Sequence, residues 1–255
     1  MSDVSLAMPL PQELKVCAEA PFDFDYPRLP DTGAICIGLT IDWREQQVLR
    51  AYALEHTLDE EHARAARFPR PEDGLRNLLG RALLRRVAAH YGGMDPNQPI
   101  RSNTWGKPEL VGCKTGCNVS HAGNQVWVAL SRYPRVGIDV EVVNAPQEFH
   151  DIAAGFHPDE IAALRKIPDT KLATMRCWSR KEAVSKATGM GLSLPLRAYA
   201  VDCDIRSSGW LRLPPPGTLR QNWTTVDLPV SKEYVGALAI DGRCDNLTVL
   251  KLKLA

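Results

Sequence analysis

The chain has 255 residues, 44% of them hydrophobic and 24% charged, enough to bury one large core or two small ones; this composition excludes a disordered polymer. Its 31 Lys and Arg stand against 30 Asp and Glu, a net charge of +1, which argues against a general nucleic-acid binder and confines any basic surface to a local patch. No export signal is expected, because Pro9, Pro11 and Glu13 interrupt the apolar residues near the start, and the longest strand-like apolar run, residues 34–41, falls short of the roughly 20 residues of a spanning helix. Seven scattered cysteines, an odd number, fit a reducing compartment, so a soluble cytoplasmic protein is expected.

In chain order, residues 1–33 read as an extended, Pro- and Asp-rich arm. A strand follows at 34–42, then a helix at 59–67. After the start signal of Pro71, a long helix spans 72–91, with Leu75, Leu78, Leu79, Leu83 and Val87 at helical spacing and a stop at Gly92 and Gly93. Short strands are expected at 101–104, 118–120 and 126–131, and another at 136–142. The second half repeats these kinds of element. Helices are expected at 158–165 and 170–188, the latter ended by Gly189, then strands at 199–203, 223–227, 234–240 and 247–252, with a loop at Pro214 to Gly217. A boundary near Arg135 divides the chain into an arm (1–33), an N-terminal subdomain (34–135) and a C-terminal subdomain (136–255).

Two segments carry chemistry. In the Val136 to Glu141 strand, the period of two places Ile138 and Val140 on one face and Asp139 and Glu141 on the other. Paired carboxylates suit a hard cation such as Mg²⁺, although Asp-x-Glu alone is more often a solvated strand face. On the 170–188 helix, Trp178, Glu182 and Lys186 lie four apart and share one stripe. The ordinary reading of such a pair is a surface salt bridge, but an aromatic in the stripe and a two-glycine exit do not fit it well. Cys113, Cys117 and His121 have a spacing that could reach zinc, yet a fourth ligand is missing and two cysteines flanking a loop is the favoured reading.

The pair GIDVE and WSRKEAVSKATGMGLSLPL resembles the signature of the Sfp-type phosphopantetheinyl transferases, in the branch carrying KEA. Arg67-Phe68, Glu72 to Arg76 with Gly80, Gly106-Lys107-Pro108 and Asn118 to His121 stand in the matching order, so the resemblance covers about residues 60 to 200. It implies an α+β fold of two similar α/β subdomains in a pseudo-twofold arrangement, with the active site at their junction. It further implies transfer of the 4′-phosphopantetheine arm of coenzyme A to a serine of an apo acyl carrier protein or peptidyl carrier domain. Asp139, Glu141 and Glu182 would be ligands of Mg²⁺, with Mn²⁺ as an alternative.

By the same resemblance, Lys186 and Lys181 would contact the pyrophosphate, and Arg64, Arg76, Lys107 and His121, with Ser120 beside them, would hold the 3′-phosphate and adenine end of coenzyme A. Glu182 is the first choice of general base and Glu160 the second. One position departs from the pattern, Glu61 standing where a further lysine is common. Arg165, Lys166, Lys171 and Arg176 are candidates for carrier docking, and a monomer is expected because both halves lie in one chain. The competing readings are a magnesium-dependent phosphohydrolase of coenzyme A or a nucleotide, and a carrier-binding module without turnover.

Overall fold

The computed structural model describes residues 12–144, 149–203 and 223–255. The loop expected at Pro214 to Gly217 and the first eleven residues of the arm lie outside them. The order of elements is β1 (Gln12–Val16), β2 (Gly33–Thr40), α1 (Gln46–Glu55), α2 (Asp59–Ala65), α3 (Pro71–Gly92), β3 (Arg101–Ser102), β4 (Pro108–Glu109), β5 (Gly116–Ala122), β6 (Gln125–Ser131) and β7 (Val136–Val142). Then come α4 (Phe149–Ala154), α5 (Pro158–Leu164), α6 (Thr170–Thr188), β8 (Trp223–Asp227), β9 (Tyr234–Asp241) and β10 (Asn246–Leu254). The class is α+β, as expected.

Two sheets form the centre. The first has the order β1-β10-β2-β6-β5, the second β7-β9-β8, and β3 and β4 form a small ribbon of their own. Alternation along the strands sorts their side chains into layers. Ile35, Ile37 and Leu39 of β2 join Leu75, Leu79 and Leu83 of α3 in one core. Their neighbours Ala34 and Cys36 point the other way, into a core shared with Val136, Ile138 and Val140 of β7. On the far side of the second sheet, Ala237 and Ala239 of β9 pack with Ala183, Val184 and Ala187 of α6. The layers therefore run helix, sheet, sheet, helix, and the face of β7 that carries Asp139 and Glu141 is turned toward α6.

The sheets do not divide at Arg135. β10 inserts between β1 and β2, parallel to both, so the last strand of the 136–255 half belongs to the first sheet. β1 makes residues 12–16 of the expected arm an edge strand. The segment expected as a strand at 199–203 is reduced to a single bridge at Ala200, and the neighbouring Val201 amide donates to a carboxylate, Glu160 Oε1 at 2.7 Å. A side chain has taken the place of a ladder partner.

Candidate active site

The site is built where β5, β7 and α6 meet. β7 is an edge strand of its sheet and β5 an edge strand of the other, and side chains join them. Asn118 Oδ1 accepts from the Ile138 amide at 3.0 Å, and Ser120 Oγ accepts from the Val140 amide at 3.2 Å. That is the physical need behind Asn-Val-Ser: two residues one pleat apart, both on the side facing β7, satisfy edge amides that a strand would otherwise pair. On its other side β7 meets α6 at Gly137, where a Cβ would lie 2.0 Å from the Ala183 carbonyl oxygen and 2.4 Å from the Ala187 nitrogen. Only glycine admits so close a helix, and this closeness sets Glu182 and Lys186 over Asp139. α6 ends at Gly189 with φ 73°, and Asn103 Nδ2 ties the Gly189 carbonyl at 2.9 Å.

The expected stripe of α6 faces the expected face of β7. Lys186 Nζ lies 2.6 Å from Asp139 Oδ1 and donates to Ser120 Oγ at 3.0 Å. Trp178 Nε1 donates to Glu141 Oε1 at 3.4 Å. Burial pushes the Glu141 carboxyl up to about 7, with the Asp139 charge adding to it and Lys186 and the Trp178 N–H opposing. Glu182 is raised as well, by burial and then by Asp139, against Lys186. Burial alone would lower the Lys186 ammonium, but Asp139, Glu182 and Glu141 outweigh it and hold it above the ordinary lysine value.

Asp139 Oδ2 and Glu182 Oε1 are both buried without a hydrogen-bond partner. Acceptors left bare beside mutually repelling carboxylates are the donor set a hard cation satisfies, so the residues fit a divalent ion. Among the described residues, however, no three Asp, Glu, His or Cys side chains stand gathered as a ready ligand cluster. The cation nearest Asp139 is Lys186.

Beside this network opens a cavity of about 220 Å³ lined by Arg64, Asn77, Arg81, Gly106, Ser120, His121 and Lys186, among others. Lys186 and Ser120 are common to the cavity and to the acidic cluster. Burial, then the charges of Lys186 and Arg76, lowers His121 to about 4, so it is neutral at pH 7 and can still donate one ring N–H. A larger cavity of about 670 Å³ is lined by Lys107, Arg132, Arg135 and Gly189, among others. None of the three acids lines either cavity, but only the smaller one shares Lys186 and Ser120 with them.

Four expected contacts change. Lys181 and Glu160 are 0% exposed and paired with each other at 2.7 Å, and Lys181 also donates to the Tyr199 carbonyl at 2.8 Å. Lys181 cannot reach a phosphate from there. Glu160, the second choice of base, also accepts from the His157 and Val201 amides, capping α5. Lys107 donates to the carbonyls of Val136 (3.0 Å) and Ala187 (2.8 Å), clasping β7 to α6, and its burial lowers it to about 8. Arg76 is held by Asp73 and the Gly123 carbonyl, with its guanidinium 5.5 Å from the Trp43 ring.

The two cysteines donate to separate carbonyls, Cys113 to Gly92 and Cys117 to Pro108, and burial raises Cys117 to about 12. Of the docking candidates, Arg176 is paired with Asp227 at 3.0 Å, whereas Arg165, Lys166 and Lys171 are exposed. Sequence reasoning missed Arg81 and Asn77. The signal present was their four-residue spacing, which puts both on one stripe of α3 with the anticipated Arg64 nearby.

The 4′-phosphopantetheinyl transferase HetI of Nostoc sp. is 30% identical to this chain over 191 residues, 72% of this chain and 78% of that protein. The chain belongs to the 4′-phosphopantetheinyl transferase family. The profile of the 4′-phosphopantetheinyl transferase superfamily matches residues 135–239, the stretch that holds β7 and α6. The 4′-phosphopantetheinyl transferase Sfp of Bacillus subtilis (strain 168) is 33% identical over 147 residues, covering 56% of this chain and 64% of that protein. A third phosphopantetheinyl transferase, gsp of Aneurinibacillus migulanus, is 31% identical over 140 residues, 53% of this chain and 57% of that protein.

Proposed function

We propose that this transferase moves the 4′-phosphopantetheine arm of coenzyme A onto a serine of an apo acyl or peptidyl carrier protein, leaving holo carrier protein and 3′,5′-ADP. The observation that carries the reading is the meeting, at Lys186, of an acidic cluster in which Asp139 Oδ2 and Glu182 Oε1 lack partners with a cavity lined by Arg64 and Arg81. A diphosphate with a nucleotide attached has matching parts. Its bridging charge suits the acidic end through a cation, and its remaining phosphate suits the arginines.

In the step, the serine oxygen forms a bond to the pantetheine-side phosphorus, and the bond from that phosphorus to the bridging oxygen breaks, the electron pair leaving with 3′,5′-ADP. Lys186 lies beside Asp139, where its ammonium would offset charge on the leaving phosphate. Glu182, whose Oε1 has no protein partner, accepts the serine proton. Asp139, Glu141 and Glu182 would hold a divalent cation, Mg²⁺ or Mn²⁺, whose charge would neutralise the phosphoryl oxygens.

One chain supplies α3, β5, β7 and α6 to the site, which supports a monomer as the working unit. The exposed Arg165, Lys166 and Lys171 would meet an acidic helix of the carrier. No helix among the described residues is long and apolar enough to cross a membrane, and all seven cysteines are free, which supports a cytoplasmic location. Mass spectrometry of an apo carrier protein after treatment with this chain, coenzyme A and Mg²⁺ tests the reading. One phosphopantetheine per carrier is expected, abolished by a chelator and by Asp139→Ala; full activity in Asp139→Ala would mean that the acids are not the site.

A further inference from the structure

Lys186 stands where a side chain is hard to hold still. It lies in the last turn of α6, which ends at Thr188, and the carbonyls of a last turn have no partner further along the helix. Two of them are met locally, Ser185 by Thr188 Oγ1 at 2.8 Å and Lys186 by the Gly189 amide at 3.2 Å. The Ala187 and Gly189 carbonyls are met from outside the helix, by Lys107 Nζ at 2.8 Å and by Asn103 Nδ2 at 2.9 Å. The same ammonium reaches the Val136 carbonyl at 3.0 Å, so the turn is fixed to the strand that carries Asp139. A positive charge at that end also suits the helix dipole. Asn103 in turn shapes the loop that brings Lys107 there, its Oδ1 accepting from the Trp105 and Lys107 amides at 2.9 and 3.0 Å. The link between β3 and β4 thus supplies the cap that α6 lacks. Gly106 and Pro108, on either side of Lys107, line the smaller cavity, so its wall and the helix cap are one element.

We propose that Asn103 and Lys107 are positioning residues for the transfer step, holding the last turn of α6 so that the Lys186 ammonium stays between Asp139 and the leaving phosphate. The assignment rests on the transferase reading and deepens it. It gives Lys107 a different task from the one the family resemblance implies: its ammonium acts through main-chain carbonyls on Lys186, not on coenzyme A. Without the cap the turn frays and the 2.6 Å contact of Lys186 with Asp139 opens. A displacement of about 1 Å at a reacting charge costs on the order of 100-fold in rate.

Carrier loading by the full chain gives the kinetic arm of the test. Lys107→Met should lower kcat by roughly 10- to 100-fold and leave KM for coenzyme A nearly unchanged. Lys107→Arg, whose fork can still donate to two carbonyls, should recover most of the rate. Asn103→Asp keeps the acceptor for the two loop amides and removes the donor to Gly189; it should lower kcat in the same way, and it reads the same question if Lys107→Met does not fold. With Lys186→Met already present, Lys107→Met should cost little more, because both changes act through one group. A raised KM with unchanged kcat would mean that Lys107 grips the nucleotide directly, and equal losses with and without Lys186 would mean that it acts elsewhere; either result overturns the assignment. Hydrogen exchange of the chain alone gives an arm without carrier or turnover. Amides of residues 184–190 should exchange roughly 10-fold faster in Lys107→Met and Asn103→Asp than in the wild type, the size of a lost hydrogen bond at a helix end. Unchanged exchange would likewise overturn the assignment. Faster exchange in variants of a chain that modifies no carrier would leave the cap standing and sink the transferase reading.

Discussion

His121 and Glu141 are shifted in opposite directions from their ordinary values for the same reason, loss of water around a charge. For His121 the folded value of about 4 lies below the ordinary 6.5, so between those pH values the unfolded chain binds more protons than the folded one. Its contribution to stability is complete above about pH 6.5 and is lost as the pH falls toward 4. His121→Gln should therefore remove on the order of 2 kcal/mol from the stability difference between pH 7 and pH 4, a figure discounted from the full shift because the ring is only partly buried. Chemical denaturation of both proteins across that window checks it, and identical slopes would refute it. At this scale the sequence was most informative where type and spacing both mattered. Asp139, Glu182 and Lys186 were legible because strand and helix periods aim them. Lys107, Arg76 and Lys181 were not, because the same side chain can hold a phosphate or a carbonyl, and only the fold decides which is nearer.

Two elements, β7 and α6, hold the acids in register, and the contact between them is glycine against helix backbone. Gly137→Ala would drive a methyl into main-chain atoms that cannot rotate aside, so α6 must lift from β7. A loss of about 3 kcal/mol is expected, at the upper end for an overpacked contact, with transfer activity falling alongside the unfolding midpoint. An unchanged midpoint would show that the helix has room.

The second fastening is the Glu160 and Lys181 pair, which ties α5 and the 199–201 segment to α6. Glu160→Gln leaves a buried ammonium without its counter-charge and should cost roughly 3–5 kcal/mol, whereas replacing both partners, Glu160→Gln with Lys181→Met, should recover part of the loss. Thermal unfolding of the three proteins reads this; a double variant no better than the single one would place the energy elsewhere. Long helices with strong stops, α3 and α6, were plain in the sequence. α1 was missed because it buries only Leu49 and Ala53 and has no side-chain cap at its start. The apolar 199–203 run was misread because a carboxylate from α5 supplies what a neighbouring strand would have.

Across the whole molecule, the two sheets face each other through one shared core, and each carries a long helix on its outer side. The return of β10 to the first sheet binds the halves together, a crossing that no local pattern could disclose because parallel partners need not be near in sequence. The site lies at the seam, where β5 of one sheet and β7 of the other are joined by Asn118 and Ser120. The smaller cavity opens on the α3 side of that seam, and the acids stand on β7 and α6. The same acids and cavity could in principle deliver water in place of a serine, so the direct test is nucleotide release from coenzyme A with and without an apo carrier protein, at fixed Mg²⁺. The account predicts one 3′,5′-ADP released for each holo carrier formed and none when the carrier is omitted. Release that continues at the same rate without the carrier would contradict it.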